Sequence, residues 1–162
     1  MPVTTAMPPV SLLIIEDDDV DLEKIKRLLR KSSLNVTISD AASSSQAVEQ
    51  LKQQSFDCAI LDYHLHDGLG SDLLLSIKHH KPYPTPVIMI SGNSDERVIA
   101  DIMREGAFDY ISKRQLDAET LISTLDASLL WAEKTRLEQE DQARVHNLAE
   151  GLPHLAWTCT PK

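Results

Sequence analysis

The sequence predicts a doubly wound α/β domain, five βα units around a parallel sheet, and three observations predict it. Short apolar runs rich in β-branched residues alternate with longer stretches of helical periodicity. Chemically active side chains recur at the ends of those runs: Glu16 and Asp17 after LLII, Asp62 after CAIL, Ser91 after VIMI and Lys113 after DYIS. Turn residues separate the units, Gly68 and Gly70 in one place and Gly106 in another. Parallel strands point all their carboxyl ends the same way, so the active side chains would converge on one edge of the sheet.

The strands are predicted near residues 12–15, 36–39, 58–61, 87–90 and 110–112. The first helix carries Leu22, Ile25, Leu28 and Leu29 on one stripe, with Asp21 and Glu23 in its opening turn, where the helix dipole favours them. The second opens with Ser43 three residues before Gln46, a capping-box spacing, and turns Ala47, Val48 and Leu51 inward. The third follows Gly68 and Gly70 and holds Leu73, Leu74 and Ile77. The fourth is expected to start at Ser94 as N-cap, to bury Val98, Ile99, Ile102 and Met103, and to end at Gly106. The fifth starts at Asp117, and neither Gly nor Pro interrupts the sequence before Gly151. A helix of that length would reach about 50 Å, well beyond the width of a small domain. Leu121, Leu125 and Leu129 suit packing on the sheet, whereas Leu130, Leu137 and Leu148 form a weak heptad-like seam broken by Lys134, Asp141 and Arg144.

The expected organisation is a disordered Pro-rich tail over residues 1–10, a domain over 11–130, a helical linker over 131–150, and a change of composition over 151–162. The 162 residues carry 16 Lys and Arg against 25 Asp and Glu, a formal charge of -9 that repels nucleic acid and anionic membrane. Direct nucleic-acid binding by this segment is excluded on that ground. No stretch approaches the roughly 20 apolar residues of a membrane helix. The opening MPVTTAMPP lacks a basic region and a long apolar region, so it does not read as a secretory signal. Cys58 and Cys159 give no disulfide framework, which fits a reducing cytoplasm.

Three carboxylates at adjacent strand ends are costly. At about 4 Å and an effective dielectric near 20, each like-charged pair costs about 4 kcal/mol. A divalent cation relieves this, and oxygen ligands favour Mg2+, with Mn2+ able to substitute. Lys113 adds a positive charge suited to a phosphoryl oxygen, and Ser91 offers a hydroxyl to another. Asp62, alone at the end of the central strand, is the candidate nucleophile for an in-line attack on phosphorus that leaves an acyl phosphate. The backbone carbonyl of His64 is a further candidate metal ligand. A zinc site built on Asp62, His64 and His66 is disfavoured, because the two histidines are expected in a loop and the carboxylates prefer a harder ion.

With LLIIEDDD, CAILDYHLHDGLGSDLL, PVIMISGN and GAFDYISK in this order and spacing, the sequence resembles the CheY-like receiver domains of two-component response regulators over residues 11–130. The resemblance implies a flavodoxin-like sheet of strand order 2-1-3-4-5. It implies that Asp62 is the phosphoacceptor, that Glu16 and Asp17 bind Mg2+, that Ser91 and Tyr110 hold the switch positions, and that Lys113 is the conserved lysine of the site. The implied phosphodonor is a phosphohistidine on a sensor histidine kinase or phosphotransfer protein, and the implied compartment is the cytoplasm. Two positions depart from the family pattern: Arg114 and His66 stand where prolines are common. The segment LAEGLPHLAWTCTPK resembles the opening of a PAS sensory domain after a signalling helix, a layout of hybrid sensor histidine kinases and of some cyclic-dinucleotide enzymes.

The expected function is therefore that of a phosphoacceptor in a phosphorelay, itself no enzyme, passing its switch through the last helices to a downstream output domain. A homodimer through helices 4 and 5 and the linker is the expected assembly. Two alternatives stand beside it. A pseudo-receiver would dimerise without accepting phosphate. An aspartyl-nucleophile phosphatase would use the same first step, but it usually places an aspartate two residues after its nucleophile, where this chain has His64.

Overall fold

The computed structural model describes residues 9–151 apart from 66, 80, 81, 93 and 94. In chain order the elements are β1 (Val10–Ile15), α1 (Asp19–Arg30), β2 (Val36–Ala41), α2 (Ser44–Gln53), β3 (Cys58–Asp62), β4 (His64–Leu65), β5 (Gly68–Leu69), α3 (Gly70–Lys78), β6 (Val87–Ser91), α4 (Glu96–Arg104), β7 (Asp109–Ser112) and α5 (Ala118–Gly151). The expectations for residues 1–8, His66, Ser94 and residues 152–162, with the PAS-like run, fall outside the described residues.

Five strands form one parallel sheet in the order β2-β1-β3-β6-β7, the doubly wound order expected. The alternation of side chains across a strand builds two cores. Leu12, Ile14, Cys58, Ile60, Ile88, Ile90 and Ile111 pack with Ile25 and Leu29 of α1 and Leu121 and Leu125 of α5. Leu13, Ile15, Ala59, Leu61, Val87 and Met89 face the other way, against Ala47 of α2, Leu73, Leu74 and Ile77 of α3 and Ile102 of α4. β3 and β6 are buried along their whole length, because helices cover both faces of the sheet centre.

The helices start where side chains can replace missing backbone partners. Asp18 Oδ1 accepts from the N–H groups of Val20 at 2.8 Å and Asp21 at 3.0 Å. Ser43 Oγ accepts from Gln46 N at 3.2 Å, while Gln46 Oε1 reaches back to Ala42 N at 2.8 Å. Asp117 Oδ1 accepts from Thr120 N at 2.7 Å and starts α5. At α4 Asp95 acts as N-cap, accepting from Arg97 N at 2.9 Å. Met103 is 41% exposed rather than buried, because α4 is short and turns only Ile102 fully inward.

Two further placements differ from expectation. Val10 belongs to β1 rather than to a tail, held by its N–H bond to Asn35 O at 2.8 Å. His64 lies in a two-residue strand of the β4-β5 hairpin rather than in an irregular loop. α5 runs without a break past residue 130, the continuous helix expected from the lack of Gly and Pro.

Candidate functional site

Register assembles the site. Ile15 pairs with Leu61, so Glu16 and Asp62, one residue further along β1 and β3, emerge side by side. Asp62 in turn pairs with Ile90, and Ser91 pairs with Ser112, the residue before Lys113. The ladder continues past the strand ends, with Glu16 N bonded to Ala41 O at 3.0 Å and Tyr63 N to Ile90 O at 2.9 Å. These bonds hold the functional side chains on backbone that is as fixed as the sheet itself.

Glu16, Asp17 and Asp62 can each bring a carboxylate oxygen within 4.8 Å of the others. Glu16 is 2% exposed and Asp62 4%. Glu16 Oε1 accepts from Asp18 N at 3.1 Å, whereas the buried Oε2 accepts no hydrogen bond. Burial, reinforced by the neighbouring Asp62, pushes the Glu16 carboxyl up to about 8. A sealed carboxylate oxygen that accepts no hydrogen bond, beside two more carboxylates, fits a hard divalent cation, whose ~2.1 Å bonds would need only a small contraction of the group. Of the four groups expected to hold Mg2+ or Mn2+, the three carboxylates are thus brought together.

Lys113 leaves the end of β7 through a turn of 3-10 helix, Lys113–Gln115, in which Ser112 Oγ accepts from Arg114 N at 3.3 Å. Its ammonium lies 3.5 Å from Asp62 Oδ2 and 3.3 Å from Glu16 Oε2. It is closer still to Asp21 Oδ2, at 2.7 Å. Burial works against the charge, but the bond to Asp21 and the nearby Asp62 and Glu16 outweigh it and hold Lys113 well above the ordinary lysine range. Sequence reasoning missed Asp21 as a member of this site. Its acidic character in a first helical turn was accounted for by the helix dipole, and only the spacing of α1 from β7 in three dimensions reveals the pairing.

Ser91 is fully buried at the end of β6. The hydroxyl of half-buried Tyr110 donates to the Ser91 carbonyl at 3.4 Å, and burial raises the phenol above its usual range. His64 N donates to Asp62 Oδ1 at 3.2 Å, while its exposed ring meets Tyr63 edge-on with centroids 4.8 Å apart. On the far side of the hairpin, Asp67 accepts from Ser44 N at 3.0 Å and Ser45 N at 3.2 Å, tying the loop after Asp62 to the start of α2. Gly70 closes that loop, and a Cβ there would run into the Asp62 carbonyl.

The family described as "Response regulator receiver domain" matches residues 12–126. Transcriptional regulatory protein ZraR of Escherichia coli K12 is 31% identical over 120 residues, which cover 74% of this chain and 26% of that protein. Photosynthetic apparatus regulatory protein RegA of Rhodobacter capsulatus is 26% identical, over 71% of this chain and 60% of its own length. The chain thus spans only part of these relatives. Among solved structures, the signal receiver domain of an HD domain-containing protein from Pseudomonas fluorescens Pf-5 superposes with a TM-score of 0.71 at 28% identity, over 86% of this chain and 98% of that one. A CheY-like receiver domain protein from Methanospirillum hungatei JF-1 gives 0.69 at 24% identity, over 78% of this chain and 98% of that one.

Proposed function

The chain belongs to the response regulator receiver family, and on that premise we propose that Asp62 accepts a phosphoryl group from the phosphohistidine of a sensor histidine kinase or phosphotransfer protein. The observation that carries the reading is the convergence of Glu16, Asp17 and Asp62 with the Lys113 ammonium 3.5 Å from Asp62 Oδ2. An Asp62 oxygen forms a bond to phosphorus as the phosphorus–nitrogen bond of the donor breaks, and the nitrogen keeps the bonding electron pair. Lys113 and the Ser91 hydroxyl take two of the equatorial oxygens, where charge accumulates in the transition state. Mg2+, or Mn2+ in its place, would be held by Glu16, Asp17, Asp62 and the His64 carbonyl, and it supplies neutralisation of the transferred group's charge. Water has restricted access to the nearly sealed Asp62, which favours transfer over loss to solvent.

Once phosphorylated, Asp62 draws Ser91 toward the phosphoryl oxygens. Tyr110, bonded to the Ser91 carbonyl, follows that movement and repacks the face formed by α4, β7 and α5. α5 runs through Gly151 and gives the change a continuous path toward an output domain. The segment is a phosphoacceptor rather than an enzyme of sustained turnover. It acts in the cytoplasm, and its surface of α4, α5 and the helical extension is offered to a second copy. Residues 151–162 are read as the start of a PAS domain, in a parent protein of the hybrid-kinase or cyclic-dinucleotide type.

Incubation of the whole chain with Mg2+ and a small acyl-phosphate donor should add one phosphoryl group, and Asp62→Asn should add none. Equal labelling of the two would end this reading. A chain that binds neither Mg2+ nor a beryllofluoride phosphate mimic would instead be a pseudo-receiver. Sustained hydrolysis of a phosphate ester would revive the phosphatase alternative, which His64 in place of a second aspartate disfavours.

A further inference from the structure

Lys113 faces a choice of partners that its expected role does not explain. Its ammonium is 2.7 Å from Asp21 Oδ2 but 3.5 Å from Asp62 Oδ2, so at any common dielectric the Asp21 pairing is the stronger attraction. Asp21 lies outside the group of Glu16, Asp17 and Asp62 that can share a cation. It sits in the first turn of α1, and its backbone N–H is fixed to the N-capping carboxylate of Asp18 at 3.0 Å. The Asp21 side chain is 34% exposed, whereas those of Glu16, at 3.3 Å, and Asp62 are 1% and 4% exposed, so the lysine charge is divided between a partly wet anchor and two dry carboxylates.

We propose that Asp21 is a positioning residue that holds Lys113 back from Asp62 until a phosphoryl group on Asp62 competes the lysine away. This inference rests on the phosphoacceptor reading above and deepens it by assigning a regulator to the same site. The Asp21 pairing leaves the Asp62 oxygens less masked by the ammonium while they act as nucleophile. Afterwards, the oxygens of the phosphoryl group must draw the lysine from its anchor. Asp21 therefore sets how strongly the phosphorylated state is held, and removing it deepens that state.

The test compares the whole chain with its Asp21→Ala, Asp21→Asn and Asp21→Glu variants at saturating Mg2+. Asp21→Ala should bind beryllofluoride about fivefold more tightly and lose phosphate from Asp62 about fivefold more slowly, the factor appropriate to a partly exposed ion pair. Asp21→Asn should shift the same way, and Asp21→Glu should return toward the parent. A general loss of negative charge near the pocket would also favour the anion, so a second readout decides. In a crystal structure of Asp21→Ala with Mg2+ alone, the hydrogen bond from Lys113 Nζ to Asp62 Oδ2 should have shortened from 3.5 Å to about 2.8 Å.

If the parent chain binds beryllofluoride and Asp21→Ala binds it equally well, the inference fails while the phosphoacceptor reading stands. Tighter binding with Lys113 unmoved also overturns it, leaving a diffuse charge effect. If the parent chain itself takes neither beryllofluoride nor phosphate, both readings fall together.

Discussion

Glu16 occupies the least favourable position of any carboxylate in the described pocket, sealed from water with one oxygen lacking a hydrogen bond. Its carboxyl stands at about 8 in the folded chain against an ordinary value of 4.5, because burial and then Asp62 penalise the charged form. An acid whose folded value is raised binds more protons folded than unfolded, so stability falls as pH rises between those two values. Without divalent cation, the parent chain should therefore lose stability from about pH 4.5 to about pH 8. Glu16→Gln should remove much of that slope and gain about 1–3 kcal/mol at pH 8 but little at pH 4.5, measured by urea denaturation in chelator. An unchanged slope in the variant would refute this account of Glu16. Added Mg2+ should reverse the ranking, stabilising the parent and leaving the variant nearly unaffected.

At this scale the sequence was legible where chemistry broke a hydrophobic run. Glu16, Asp17, Asp62, Ser91 and Lys113 each terminate an apolar segment, and a parallel sheet sends all such ends to one edge. Asp21 was not legible as a partner of Lys113, since nothing local distinguishes it from a residue serving the helix dipole. Cys58 lies in an apolar run, and its thiol is pushed up to about 12 by complete burial, beside the Ser128 hydroxyl at 3.4 Å.

At the scale of elements, the loop between β3 and α3 decides how Asp62 is presented. Gly70 has no room for a side chain against the Asp62 carbonyl and the Tyr63 backbone. Gly70→Ala should cost about 1–3 kcal/mol in denaturation and weaken Mg2+ binding, because relief of the clash must move the backbone that carries Asp62. Stability and metal affinity like those of the parent would show that this close approach is not required. Asp67 works from the opposite side by capping α2 across the loop, and its carboxyl lies below the usual range because Ser44 N and Ser45 N donate to it. Asp67→Ala should lower the midpoint of the same denaturation measurement, because the N–H groups of Ser44 and Ser45 lose their carboxylate acceptor.

Strand and helix identities could be read from periodicity because each main element is long enough to show one. The β4-β5 hairpin could not, having strands of two residues each.

For the whole molecule, α5 has two parts in one helix. Leu121 and Leu125 are buried in the core, whereas Leu130, Leu137 and Val145 are exposed beyond it. The transition is gradual: Trp131 meets Phe108 with ring centroids 5.8 Å apart, and Tyr83 donates to Glu140 at 3.4 Å. A long uninterrupted helix was legible from the absence of Gly and Pro, but how far the core would hold it depended on which leucines faced the sheet. Among the described residues no helix is long and apolar enough to cross a membrane. A chain ending at Lys134 keeps the Trp131 contact and should lose about 1 kcal/mol or less, since the later contacts are surface hydrogen bonds and ion pairs. A much larger loss on denaturation would mean that the distal helix belongs to the folding unit.

The account depends on acidic groups from two strands sharing one cation beside the phosphoacceptor. Paramagnetic broadening by Mn2+ at low stoichiometry, read on the backbone amides by NMR, tests this most directly. Signals of residues 16–18, 62–64 and 113 should vanish first, return when excess Mg2+ is added, and persist in Asp17→Asn and Asp62→Asn. Broadening spread over the acidic surface, or unchanged in those two variants, would contradict the account.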